Sequence, residues 1–149
     1  MKAAWYSRNG EAQDVMQVGE LPTPSPQAGE VLVRLATSGV NPSDVKSRRA
    51  RPVNDPLVVP HSDGAGVIEA VGEGVSFARL GERVWVWNGQ WQRPMGTCAQ
   101  YIALPTAQAV ALPEDTDFAA VACMGIPGLS AVQPLMLAER LAVDLLRQT

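Results

Sequence analysis

Short apolar runs closed off by glycine or proline fill the first two-thirds of the chain, and that punctuation constrains it to β structure. Glu30–Val40 is the clearest strand. Val31, Val33 and Leu35 fall on one face and Leu32, Arg34 and Ala36 on the other, the two-residue period of a pleated strand. Gly64–Val75 is a second, with Gly64 and Gly66 where the backbone bends or passes close to a neighbour and Gly72 and Gly74 in a turn. Arg83–Trp87 is a third and ends at Asn88-Gly89, a two-residue hairpin signal. Gly96–Leu104 and Gln108–Leu112 supply a fourth and a fifth. Near the N-terminus, Lys2–Ser7 runs into an Asn9-Gly10 turn, and Val15–Leu21 is the returning strand. Pro22, Pro24 and Pro26 then interrupt any ladder, because proline has no N–H to donate, so this stretch crosses the surface. Strands this short and this punctuated predict a mainly β fold, a small, partly open β-barrel.

Two segments break the pattern. Pro42 fits the first turn of a short helix, with Asn41 as its N-cap and Ser43-Asp44 in the first turn. After Pro113 the period changes for good. Pro113–Met124 is expected as a helix capped by Asp115 or Thr116, Gly125–Gly128 as a break, and Leu129–Arg147 as a second helix with Pro134 in its first turn. On that helix Arg140, Asp144 and Arg147 share a polar face, and Leu135, Ala138, Leu141 and Leu145 the apolar one. The expected division is a β domain over 1–125 and a helical extension over 126–149.

Composition narrows the function classes. At 149 residues, 46% hydrophobic and 18% charged, the chain can bury a core as one domain. A net charge of −3 gives no electrostatic footprint for nucleic acid or an anionic membrane. The basic cluster Arg48, Arg49 and Arg51 is broken by Pro52 and Asp55 and reads as a solvated loop. No run approaches the roughly 18 apolar residues that span a bilayer, and the opening MKAAWYSRNGEAQD lacks the apolar stretch of a signal peptide. Cys98 and Cys123 stand apart as reduced thiols, which points to a cytoplasmic home.

Five segments recur in a telling order: SGVNPSDVKSR (38–48), VPHSDGAGVIEAVGEGV (59–75), LGERV (80–84), GTCAQYIALP (96–105) and GIPGLSAVQPL (125–135). Together they make residues 1 to about 135 resemble the medium-chain dehydrogenase/reductase superfamily, in its quinone oxidoreductase (zeta-crystallin-like) branch. The resemblance implies a chaperonin-10-like catalytic domain, a quinone or enone substrate, NADP(H) as the hydride source, and no protein zinc. It places Asn41 and Asp44 at the cleft that faces the nicotinamide, and the hydroxyl of Ser130, where relatives carry threonine, near the same ring. Lys46 stands where many relatives have an aromatic, which makes it a substrate-pocket position. Read from the residues alone, Asn41 serves equally as a plain helix cap and Ser130 as a helix serine bonded to its own backbone.

Zinc relatives carry a cysteine near the position of Asn41 and Gly-His-Glu before the glycine-rich strand. Counted back from Gly64, the histidine slot here is Ser62 and the glutamate slot Asp63, so His61 falls one residue early and three ligands for a catalytic zinc do not assemble. His61 then reads as a loop histidine, with a functional role as the alternative. Trp85 and Trp87 share a strand face, expected as core; Trp87 or Trp91 can instead wall a pocket for a planar substrate, and Trp91–Pro94 can form a lid or partner surface.

After Gly128 the chain has no glycine, hence no phosphate-binding GxGxxG turn, and a Rossmann domain is expected to be absent. The expectation is therefore the substrate-side part of a reductase, truncated before its nucleotide half. The alternative is a catalytically silent module that binds itself or a longer paralogue. The segment past residue 135 is expected to cover surface, and remaining apolar area to favour a homo-oligomer.

Overall fold

The computed structural model describes the backbone of residues 1–146 and the side chains of residues 1–140. In chain order the elements are β1 (Lys2–Trp5), α1 (Ala12–Val15), β2 (Gln17–Glu20), β3 (Glu30–Gly39), α2 (Pro42–Ala50), β4 (Asp63–Val71), β5 (Arg83–Val86), β6 (Tyr101–Pro105), β7 (Ala109–Ala111), α3 (Phe118–Val121) and α4 (Gly125–Leu146). β1 and β2 form an antiparallel ribbon, and the other strands an antiparallel sheet in the order β6-β3-β4-β5-β7. β6 and β7, the edge strands of this sheet, do not pair and close it, so the mainly β, open architecture is as expected.

The alternation in β3 decides the core. Val31 and Val33 are fully buried, opposite Leu104 and Ile102 of β6 on one side and Val71 and Ile68 of β4 on the other. With Val84, Val86 and Ala109 they make one cluster, held by cross-strand pairs of branched side chains. Gly66 meets the expected close approach: a Cβ there would overlap the Arg34 carbonyl oxygen, at the point where the β3–β4 register shifts.

Several expectations fail for reasons the packing supplies. Trp85 and Trp87 do share a face, but it is the outer one, because Val84 and Val86 fill the core. Asn88 turns the chain, with φ 51°, yet no hairpin forms: β5 pairs with β4 and β7, while the next strand, β6, pairs with β3. Gly96–Gln100 is not strand, since its backbone runs tightly against the 59–61 segment, with bonds from Gly96 to Val59 and Thr97 to His61. The Pro113–Met124 helix shrinks to α3, capped by Asp117, whose carboxylate accepts from the Ala119 N–H at 3.1 Å. Arg83 donates to the carbonyls of Glu114 and Thr116 and keeps that approach out of helix.

Gly125–Gly128 is no break. α4 starts at Gly125 and runs through Gly128 and Pro134. The glycine is there because a Cβ on Gly125 would strike the Asp63 carboxylate. Nor is Arg48–Arg51 a solvated loop: Arg48 and Arg49 lie in the last turn of α2, where positive charge suits the helix dipole, and Arg48 is buried with its guanidinium on the Gly10 carbonyl. Residues 131–140 of α4 are exposed, Leu135 at 71%, so that part of the helix is not buried against the sheet. Of the two faces expected for it, Arg147 and the side chains of Leu141, Asp144 and Leu145 lie outside the described residues.

Candidate functional site

β3 ends at Gly39, and Asn41 then turns the chain into α2. The Asp44 carboxylate reaches back to accept the Asn41 backbone N–H at 2.7 Å, which fixes the first turn. Asn41 is more than a cap: its side-chain Nδ2 donates to Asp63 Oδ2 at 2.9 Å. Asp63, the first residue of β4, is fully buried. Its two carboxylate oxygens also accept the Ile126 N–H, at 3.0 and 2.9 Å. A negative charge thus sits against the first turn of α4, the end of a helix that favours it. One carboxylate joins β4, α2 and α4.

Above this hub runs a chain of hydroxyls. Thr97 Oγ1, fully buried, donates to the Asp63 carbonyl at 2.6 Å. Ser38 Oγ lies 2.9 Å from Thr97 Oγ1 and 2.9 Å from His61 Nδ1. His61 adopts φ 77°, a left-handed conformation that a residue with a Cβ rarely takes. Burial pushes the Asp63 carboxyl upward, against the pull of the Ile126 and Asn41 donors, and Asp44 adds to the rise. Burial likewise raises Asp44, opposed by the Asn41 N–H and by His61. Burial lowers His61, and Asp44 works the other way.

The structure brings Asn41 and Asp44 together in this corner, both buried. Ser130 is exposed on α4, four residues beyond Ile126 and so on the same side of the helix. Lys46 is exposed on α2, apart from the hub. The two tryptophans separate. Trp87 donates its indole N–H to the Ala107 carbonyl at 3.2 Å and lines a cavity of about 510 Å³ with Leu129, Val132 and Met136 of α4. Trp91 lines a different cavity, about 440 Å³, with Tyr6 and Arg51.

Sequence reasoning missed Asp63 as the hub, along with Thr97, and it missed Tyr6 at the separate Trp91 cavity. A lone carboxylate opening an otherwise apolar, glycine-rich strand was the available signal for Asp63. Among the described residues, no group of three or more histidine, cysteine or acidic side chains is placed to hold a metal ion, and no helix is long and apolar enough to cross a membrane.

The family model of the alcohol dehydrogenase GroES-like domain matches residues 27–114. A quinone oxidoreductase of Rattus norvegicus is 34% identical over 119 residues, covering 78% of this chain and 35% of that protein. The solved quinone oxidoreductase of Coxiella burnetii superposes with a TM-score of 0.84 at 25% identity, covering 93% of this chain and 45% of that one. A mycobacterial structure complexed with NADPH gives a TM-score of 0.69 at 26% identity, over 82% and 37% of the two chains. The chain thus spans between about a third and a half of the length of these relatives.

Proposed function

The chain belongs to the alcohol dehydrogenase GroES-like domain family, in the quinone oxidoreductase branch of the medium-chain dehydrogenase/reductase superfamily, and from that premise we propose that it forms the acceptor side of a zinc-free, NADPH-dependent quinone or enone reductase. The observation that carries this reading is the Asp63 hub. It holds Asn41, the cap of α2, against the first turn of α4, while Asp44 bonds the Asn41 backbone, so two stretches distant in sequence form one preorganised polar corner, with Ser130 one turn further along α4.

This corner suits the nicotinamide end of the cofactor and no more of it. The N-terminus of α4 is already occupied by a carboxylate, which would repel a pyrophosphate. The nucleotide half of the cofactor is then held by a separate unit. When bound, the nicotinamide supplies the hydride. The protein's own residues orient and exclude: Asn41 and Asp44 are locked by hydrogen bonds before any ligand arrives, and burial keeps water from the hub. The zinc-free reading rests on Asn41 and Ser62 standing in the ligand slots of zinc relatives, with His61 bonded to Ser38 instead.

We place the division between the β domain (1–125) and the extension (126–149) at the start of α4. Leu135, Met136 and Leu137, all more than half exposed, support self-association through that helix, and two free cysteines support a cytoplasmic setting. The test of the function is a fusion of this chain to the nucleotide-binding domain of a zinc-free quinone oxidoreductase. NADPH oxidation by a quinone is expected, unaffected by chelator and reduced about 10-fold or more by Asn41→Ala, the scale set by loss of one preorganised donor. An inactive fusion that is folded and still binds NADPH contradicts it.

A further inference from the structure

The 440 Å³ cavity beside Trp91 shares no lining residue with the Asp63 corner. Its floor is apolar: Tyr6 and Val58 are buried in a small cluster with Val15, and Val53 packs against them. Its rim is the indole of Trp91, 57% exposed. The loop that carries this ring is fixed. Asn88 and Gln92 take left-handed φ values of 51° and 56°, and the Trp91 N–H closes a turn on the Asn88 carbonyl at 2.9 Å. Arg93 pins the loop to the sheet through Gln108 Oε1 and the Ala103 carbonyl.

The charges on the wall are unequal in their commitments. Arg93 turns its guanidinium toward Gln108 and the Ala103 carbonyl. Among the described residues, Arg51 makes no side-chain hydrogen bond or salt bridge; only its backbone is engaged, with Ser47 and Asn9. Its charge nevertheless reaches the Tyr6 phenol: burial raises that hydroxyl and Arg51 is the strongest influence pulling it back. Asp55 is the one carboxylate on the wall, against two guanidiniums. An exposed indole over an apolar floor, beside an uncommitted guanidinium, suits a flat ring that carries a negative charge.

We propose that the cavity between Tyr6, Arg51 and Trp91 binds a planar aromatic molecule bearing a carboxylate. The ring stacks on the Trp91 indole above the floor that Tyr6 and Val58 form, and the carboxylate meets Arg51. Naming this ligand as the acceptor rests on the reductase reading; its binding does not.

The test reads binding alone. The ¹⁵N-labelled chain is titrated with 2-naphthoate and with 2-naphthamide, the same ring without the charge, and the four indole N–H signals are followed. Trp91 is assigned by Trp91→Phe. Saturable movement of the Trp91 signal is expected, with naphthoate about 3- to 10-fold tighter than the amide, the range for one partly solvated charge-assisted contact. Arg51→Gln should remove that preference while leaving amide binding unchanged, and Arg51→Lys should keep part of it. Movement at Trp85 or Trp87 instead, equal affinity for the two probes, or a preference that survives Arg51→Gln would each overturn the proposal. None of these outcomes bears on the cofactor corner, so a failed reductase fusion and a failed titration are separate results.

Discussion

The first turn of α4 and the described body that follows it, residues 129–140, meet opposite treatment. At Gly125–Ile126 the helix is clamped: Asp63 takes the Ile126 N–H with both oxygens, and Gly125 is small enough for the carboxylate and the Trp87 backbone to crowd it. Three residues later the clamp is gone. From Leu129 onward every described side chain is exposed, including Val132, Leu135, Met136 and Leu137. Among the described residues, the helix is hydrogen-bonded to the domain at its first turn and its next residues are exposed. The fold has specified where α4 begins and has left its apolar length to whatever lies against it.

Breaking the clamp should have the largest effect. Asp63→Ala leaves the Asn41 amide and the Ile126 N–H buried without their acceptor and should cost about 3 kcal/mol, as removal of one partner from a buried charged network does. Denaturant midpoints measure it, and a near-neutral result would show that the hub does not hold the corner. Gly39→Ala comes next. Its Cβ would overlap the Ala122 carbonyl just ahead of α4, costing about 1–3 kcal/mol by overpacking, unless the α3–α4 segment simply moves away.

His61 sharpens the polar side of the comparison. Its folded-state pKa is lowered chiefly by burial, so its contribution to stability is present above its ordinary value of about 6.5 and is lost as pH falls through the lowered one. Asp44 and Asp63, raised by burial, act in the opposite sense: their contribution is present below the ordinary carboxylate range and lost as pH rises. His61→Gly should therefore flatten the loss of stability on acidification below about 6.5 and relieve a left-handed φ worth about 1 kcal/mol. Melting temperatures at stepped pH check both; a variant with the wild-type slope would remove His61 from the account. The smallest effect belongs to the exposed body of α4 around Leu135. Leu135→Ser should leave stability within about 0.5 kcal/mol while shifting sedimentation toward monomer, and a large loss would mean the helix body is packed after all.

What the sequence reveals follows the range of the interactions. β3 was legible because alternation in Val31 and Val33 is local, and so was Asn41 as the start of α2. Alternation also put Trp85 and Trp87 on one face, but not which face: Val84 and Val86 are equally apolar, and only pairing with β4 and β7 turns them inward. Asn88 signalled a real turn, while the partner strand was set by contacts far along the chain. The hub was least legible of all. Residues 41, 63, 97 and 126 become neighbours only through the topology, and each alone reads as a cap, a strand end, a strand threonine or a linker.

The proposed role of the Asp63-held corner is to receive the nicotinamide end of the cofactor. Reduced nicotinamide mononucleotide, which lacks the adenylate half, tests it on the chain as it stands by amide chemical-shift mapping. The account predicts saturable shifts confined to the Asn41–Asp44 turn and the Ile126–Ser130 turn, lost in Asp63→Asn. No shift at high millimolar ligand, or shifts centred on the Trp91 cavity instead, would contradict it.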